Sequence, residues 1–152
     1  MQNKDGRNLR MALGCDHAGF SHKEAIKDHL LLKSIECKDF GTFSEDSVDY
    51  PEFVLPAAKA VAEGNCDLGI VLGGSGNGEA MAANKVRGVR CALCWSEETA
   101  RLAKEHNDAN VISIGQRLIP LDLAIKVVDA WLNASFEGDR HIKRIQMLDS
   151  YQ

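Results

Sequence analysis

Residues Asp67–Leu72 read DLGIVL and run directly into Gly73-Gly74-Ser75-Gly76-Asn77-Gly78. A continuous apolar run without alternation marks a strand buried on both faces, and such strands lie in parallel sheets covered by helices on each side. The glycines then permit a tight exit into a helix predicted to start near Gly78 or Glu79. The rest of the chain repeats this alternation. Further strands are predicted at Leu9–Gly14, Ile35–Phe40, Arg90–Cys94 and Asn110–Ile114. Between them lie amphipathic stretches. One runs from Ser21 to about Lys33, with Ser21 and Glu24 as a capping box. A second starts at Pro51, suited to a first helical turn, and stops at Gly64; Pro56 inside it is a candidate kink. A third is capped by Ser96 and reaches His106. Helices at Leu121–Leu132 and Asp139–Tyr151 close the chain, the last one basic and polar enough to lie partly off the core. Strands separated by helices of this length imply right-handed crossovers. The predicted fold class is α/β: a single Rossmann-like domain, a five-stranded parallel sheet with helices on both faces and a C-terminal basic helix. The length of 152 residues suits one domain.

Charge and composition exclude several classes of function. Lys and Arg number 18 against 22 Asp and Glu, a net charge of −4. A whole-surface field for nucleic acid would be basic, so an anion site here must be built locally. No apolar run approaches the roughly 18 residues that span a bilayer, and the segment MQNKDGRNLR lacks the apolar core of a signal peptide. A cytosolic chain with no membrane or nucleic-acid partner is expected. Five cysteines, an odd number, argue against a disulfide scaffold. Cys91 and Cys94 spell C-x-x-C. On a strand they would face opposite sides with Cα atoms roughly 10 Å apart, beyond the ~7 Å limit for a disulfide. They read as packing residues rather than as the centre of a redox or zinc protein.

Ligands of such sheets bind outside the carboxyl ends of the strands. That rule singles out Asp16-His17, Gly41-Thr42, Gly73–Glu79, Trp95-Ser96 and Gly115-Gln116-Arg117. The loop Gly74-Ser75-Gly76-Asn77-Gly78 lets backbone amides approach an anion at a helix N-terminus. No Gly-Lys-Ser/Thr follows, so it is not a P-loop, and its last glycine comes one residue early for a dinucleotide fingerprint. It also fits a plain strand-to-helix turn. Glu79 either complements the helix dipole or acts as a general base held ionised by it. Asp16 and His17 either cap the next helix or handle hydroxyls or phosphate. His106 and Asn107 end a helix, where a histidine commonly meets the last carbonyls. Arg140, His141 and Arg144 share one helix face, either as a solvated basic strip or as a phosphate clamp. The histidines show no zinc-ligand spacing such as HExxH.

Taken together, GCDHAGF (14–20), DYPEF (49–53), GIVLGGSGNGEAMAANKVRGVRCALCWS (69–96), KEHNDAN (104–110), ISIGQR (112–117) and RHIKR (140–144) resemble the ribose-5-phosphate isomerase B family. That family also includes galactose-6-phosphate and allose-6-phosphate isomerases. Many of its members place a catalytic cysteine directly after the third strand, where this chain has Gly73. The sequence instead resembles the branch in which a glutamate at the position of Glu79 is the base. The resemblance implies ribose 5-phosphate and ribulose 5-phosphate interconversion without cofactor or metal. It implies that Asp16 and His17 contact the sugar phosphate, that amides across Gly74, Ser75, Gly76, Asn77 and Gly78 hold the oxyanion, and that His106, near Asn107, assists ring opening. Arg117, Arg140 and Arg144 would bind phosphate, with His141 helping and Tyr50 lining the pocket. It further implies a homodimer with shared active sites, sometimes paired into a tetramer. A hexose-phosphate isomerase is the nearest alternative; a non-catalytic nucleotide- or phosphate-binding module is a more distant one.

Overall fold

The computed structural model describes residues 1–151. Five parallel strands form one sheet in the order β2-β1-β3-β5-β4. They are β1 (Arg10–Cys15), β2 (Glu36–Asp39), β3 (Leu68–Gly73), β4 (Cys91–Leu93) and β5 (Val111–Gly115). The helices are α1 (Phe20–Leu32), α2 (Pro51–Ala62), α3 (Asn77–Asn84), α4 (Glu97–Asn107), α5 (Leu121–Asn133) and α6 (Arg140–Ser150). The central position of β3 explains its unbroken apolar run. Ile70 and Leu72 face a core shared with Ile26 and Leu30 of α1, Ala100 and Ala103 of α4, and Val127, Val128 and Trp131 of α5. Val71 faces the other core, against Val54, Ala57, Ala58 and Val61 of α2 and Ala83 of α3. Each buried Val, Leu or Ile side chain among them contributes about 1.5–3 kcal/mol by leaving water. The chain departs from β1 to opposite sides for β2 and β3, so the carboxyl ends of β1 and β3 form the crevice where such sheets bind ligands.

The expected architecture holds, with local corrections. No capping box at Ser21 starts α1. A 3-10 turn, His17–Gly19, precedes the helix, and Asp16 caps it by accepting the N–H groups of Ala18 and Gly19 at 2.9 and 3.2 Å. The carboxylate meets the unpaired amides earlier in the chain, which leaves Ser21 inside the first turn of α1; Glu24 pairs instead with Lys23 and Lys27. The helix α2 runs through Pro56 to Ala62. Ser96 does cap α4, through a reciprocal arrangement with Thr99. Cys91 packs toward the α2–α3 side and Cys94 toward the α4–α5 side, and all five thiols are free. Of α6, only His141 and Ile145 are buried, and its far end is held by Arg90 Nη1 on Asp149 at 3.0 Å. No helix among the described residues is long and apolar enough to cross a membrane.

Candidate active site

The loop after β3 is held from behind by the exit of β5. Gln116 N–H donates to the Gly73 carbonyl at 2.9 Å, Arg117 N–H to that of Gly74 at 3.0 Å, and Ser113 Oγ to that of Gly76 at 2.7 Å. Carbonyl and N–H point in opposite directions across a trans peptide. Fixing the Gly73 and Gly74 carbonyls toward β5 therefore turns the amides of Gly74 and Ser75 the other way. Asn77 N–H donates to Ser75 Oγ at 3.2 Å. Gly76 caps α3 at φ +80°, a left-handed conformation that glycine adopts without strain. Arg117 lies along Gly74, and the Tyr50 ring covers Gly78, where an added Cβ would meet Cζ at 2.6 Å.

Glu79 stands in the first turn of α3 and is only 4% exposed. Its carboxylate folds back over the end of β3: an added Cβ on Gly73 would lie 1.8 Å from Oε1. Burial pushes its carboxyl above the usual carboxylate range. The charge of Asp16 adds to that, while the amides of Glu79 and Gly76 oppose it. Asp16 is itself buried and fixed by its two cap bonds. His17 Nδ1 accepts Val48 N–H at 3.2 Å, which leaves Nε2 to carry the proton of the neutral ring.

The remaining sequence-selected residues form a second group. The His106 and His141 rings stack with centroids 4.5 Å apart and planes 15° from parallel. Glu137 Oε2 lies 3.8 Å from His106 Nε2 and 3.6 Å from His141 Nε2. Burial and the adjacent Arg140 guanidinium, with His106 and Arg144 adding to them, hold the His141 imidazole below its usual range, against the pull of Glu137. Arg140, Arg144 and Asn107 are exposed. The helix α4 leaves the carboxyl end of β4 and returns the chain to the amino end of β5. His106 and Asn107 therefore lie across the sheet from Glu79, with β5 alone (Val111–Gly115) interposing roughly 13 Å of strand. One chain gathers Asp16, His17, Gly74–Glu79 and Arg117 at one end of the sheet. It gathers His106, Asn107, Arg140, His141 and Arg144 at the other.

Two residues at these ends escaped the sequence reading. Glu137 lies on the link before α6, and with His106 and His141 it offers metal-capable donor atoms all within 4.8 Å of one another. Lys23 is fully buried, with Nζ 2.7 Å from both Asp39 oxygens and 2.8 Å from the Thr42 carbonyl. Gly41 and Thr42 exchange backbone hydrogen bonds with Cys15, next to Asp16, so this ammonium bolts the β2 exit to the floor of the site. A lysine in an amphipathic helix reads as solvated, and nothing in the sequence marks this one as buried.

An acid buried over a parallel-sheet crevice beside an amide-lined glycine loop defines an α/β domain equipped for proton transfer on an anionic ligand. A family model described as Ribose/Galactose Isomerase matches residues 11–148. A curated relative, ribose-5-phosphate isomerase B of Mycobacterium leprae, is 48% identical over 95% of this chain and 90% of its own length. The ribose-5-phosphate isomerase B structure of Clostridium thermocellum superposes with a TM-score of 0.92 at 46% identity, covering 93% of this chain and 95% of that one. That of Mycoplasma genitalium, with bound ribulose-5-phosphate, superposes with a TM-score of 0.90 at 40% identity, covering 94% and 95%. The chain belongs to the ribose/galactose isomerase family.

Proposed function

We propose that this chain interconverts D-ribose 5-phosphate and D-ribulose 5-phosphate, with Glu79 as the base that moves a proton between C2 and C1. The observation that carries the reading is the Glu79 carboxylate, buried over Gly73 beside the turned-out amides of Gly74 and Ser75. A carbon acid next to a carbonyl is weak, and the base alone cannot ionise it at a useful rate. Negative charge collects on the carbonyl oxygen in the transition state, so donors placed there favour that state over the substrate. One such donor contributes about 2.7–4 kcal/mol. Burial raises the basicity of Glu79 against the opposing pull of nearby amides, bringing its pKa closer to working pH. Asp16 and His17 contact the sugar phosphate, and Arg117 joins Arg140 and Arg144 in binding its phosphate.

Ring opening and phosphate binding fall to His106, Asn107, Arg140, His141 and Arg144, which a single chain carries at the far end of its sheet. We infer a homodimer in which each cleft takes its Glu79 loop from one copy and its His106–Arg144 group from the other. An apolar groove of about 1030 Å³ between the 84–92 segment and α6 gives a second copy a surface to bury, edged by Met147 and Leu148, which are 65% and 60% exposed. The five free thiols fit a reducing, cytosolic setting.

A coupled assay tests the activity. Turnover of ribose 5-phosphate should exceed that of six-carbon sugar phosphates, and Glu79→Gln should reduce kcat at least about 10³-fold with KM little changed. Wild-type kcat in that variant removes Glu79 as the base.

A further inference from the structure

We propose that His106, Glu137 and His141 form a binding site for a zinc-class transition-metal dication. The first support is geometric. Tetrahedral zinc with nitrogen and oxygen ligands at about 2.0–2.2 Å sets its donor atoms about 3.3–3.5 Å apart. Glu137 Oε2 stands 3.6 Å from His141 Nε2 and 3.8 Å from His106 Nε2, too long for hydrogen bonds and close to that spacing. The second is independent of the first. His141 Nε2 is buried and has no hydrogen-bond partner, a state that costs free energy unless something meets that nitrogen.

Two imidazoles and one carboxylate make the three-ligand set of an open zinc site, with a fourth position left for water. Imidazole donors favour zinc, copper or nickel over magnesium or calcium, whose preference is for oxygen. The nearby Arg140 and Arg144 guanidiniums repel every dication alike, so an ion is held here only through its affinity for imidazole. The two rings are nearly parallel, so they must turn out of their stack until both lone pairs converge on the ion. Glu137 is about half exposed, with a side-chain accessibility of 47%, and its carboxylate can follow.

The consequence for catalysis rests on the function proposed above. An imidazole bound to metal through a ring nitrogen cannot exchange a proton there, so zinc would act as a reversible inhibitor by occupying His106.

The test uses the intact protein and separates binding from activity. Zinc binding is measured by competition with a chromophoric chelator, and cobalt is substituted for its visible spectrum. We expect one zinc per chain, a cobalt spectrum without thiolate charge transfer, and an affinity at least about tenfold weaker in Glu137→Gln, since loss of a mere outer-shell partner already costs that much. The readout is the ratio of turnover with and without zinc within each protein, which falls in the wild type and stays near one in Glu137→Gln. Undiminished affinity in Glu137→Gln, or a thiolate band from the cysteines, overturns the site. Binding that is lost in Glu137→Gln, in a protein whose turnover zinc never affected, establishes the metal site and removes His106 from proton transfer.

Discussion

The Glu79 carboxylate fills the space in which a side chain on Gly73 would begin: an added Cβ would sit 1.8 Å from Oε1 and 2.7 Å from Oε2. A residue with a side chain after β3 and a glutamate folded over β3 are sterically exclusive, so the base can come from one position or the other. Gly73→Ala should expel the carboxylate from its seat. A displacement near 1 Å costs about 10²-fold in rate, and kcat should fall by at least that much. Retention of wild-type kcat in Gly73→Ala would contradict the seating of Glu79.

Burial of Glu79 also predicts a trade between activity and stability. A carboxyl whose pKa is raised on folding favours the folded state while protonated, and that contribution is lost as pH rises through its folded value. At neutral pH the ionised Glu79 is therefore a burden on the fold. Glu79→Gln should raise Tm there, by about 2–4 °C for each kcal/mol recovered. The gain should vanish below the ordinary glutamate range, where the wild-type group is protonated in both states. Thermal melts from pH 4 to 8 would show this, and a Tm difference independent of pH would contradict it.

The thiols should be spectators. Burial pushes Cys15 and Cys94 each up to about 12, and Cys37 up to about 11, so almost none is thiolate at neutral pH. Treatment with iodoacetamide near pH 7 should leave turnover intact, in contrast with an enzyme whose base is a cysteine. Stoichiometric alkylation accompanied by loss of activity would return a thiol to the mechanism.

Lys23 and Asp39 make the opposite case, a charged pair whose loss should harm the fold. Burial alone would push the Asp39 carboxyl up, yet hydrogen bonds from Lys23, Lys27 and the Gly41 amide together hold it below the usual range. That contribution is present above the unfolded aspartate value and lost as pH falls through the folded one. Asp39→Ala leaves the Lys23 ammonium at zero exposure without its main partner, a change worth about 3–5 kcal/mol. Chemical denaturation should show that loss, and Lys23→Met in the same chain should recover part of it. An unaltered midpoint in Asp39→Ala would show that Lys27 and the Thr42 carbonyl do not depend on this pairing.

Much of this architecture was legible in the residues. The run Leu68–Leu72 shows no alternation because Ile70 and Leu72 serve one core and Val71 the other, and the sequence records that double burial directly. The end of β3 was legible through its glycines. What the sequence hid depends on contacts between distant segments. Asp16 captures the start of the next helical turn before Ser21 can, because the chain is already turning as it leaves β1. Glu137 and Lys23 belong to residue types that are usually solvated, and only the approach of α6 to α4 and of the β2 exit to α1 gives them partners. The separation of His106 from Glu79 follows from strand order and helix direction, which motif spacing does not encode.

That separation supplies the sharpest test of a shared cleft. Glu79→Gln removes a group at the carboxyl end of the sheet, and His106→Asn removes one at the amino end. Each homodimer should be nearly inactive on ribose 5-phosphate. If every cleft takes one end from each of two copies, a mixed dimer has one cleft with both defects and one with neither. Random re-pairing makes half of the dimers mixed, so unfolding and refolding an equal mixture should restore about one quarter of wild-type activity. If instead each chain used only its own residues, every cleft in every pairing would carry one defect, and mixing would restore nothing. Activity that tracks the mixed-dimer fraction across a range of mixing ratios would separate restored clefts from residual turnover of either variant.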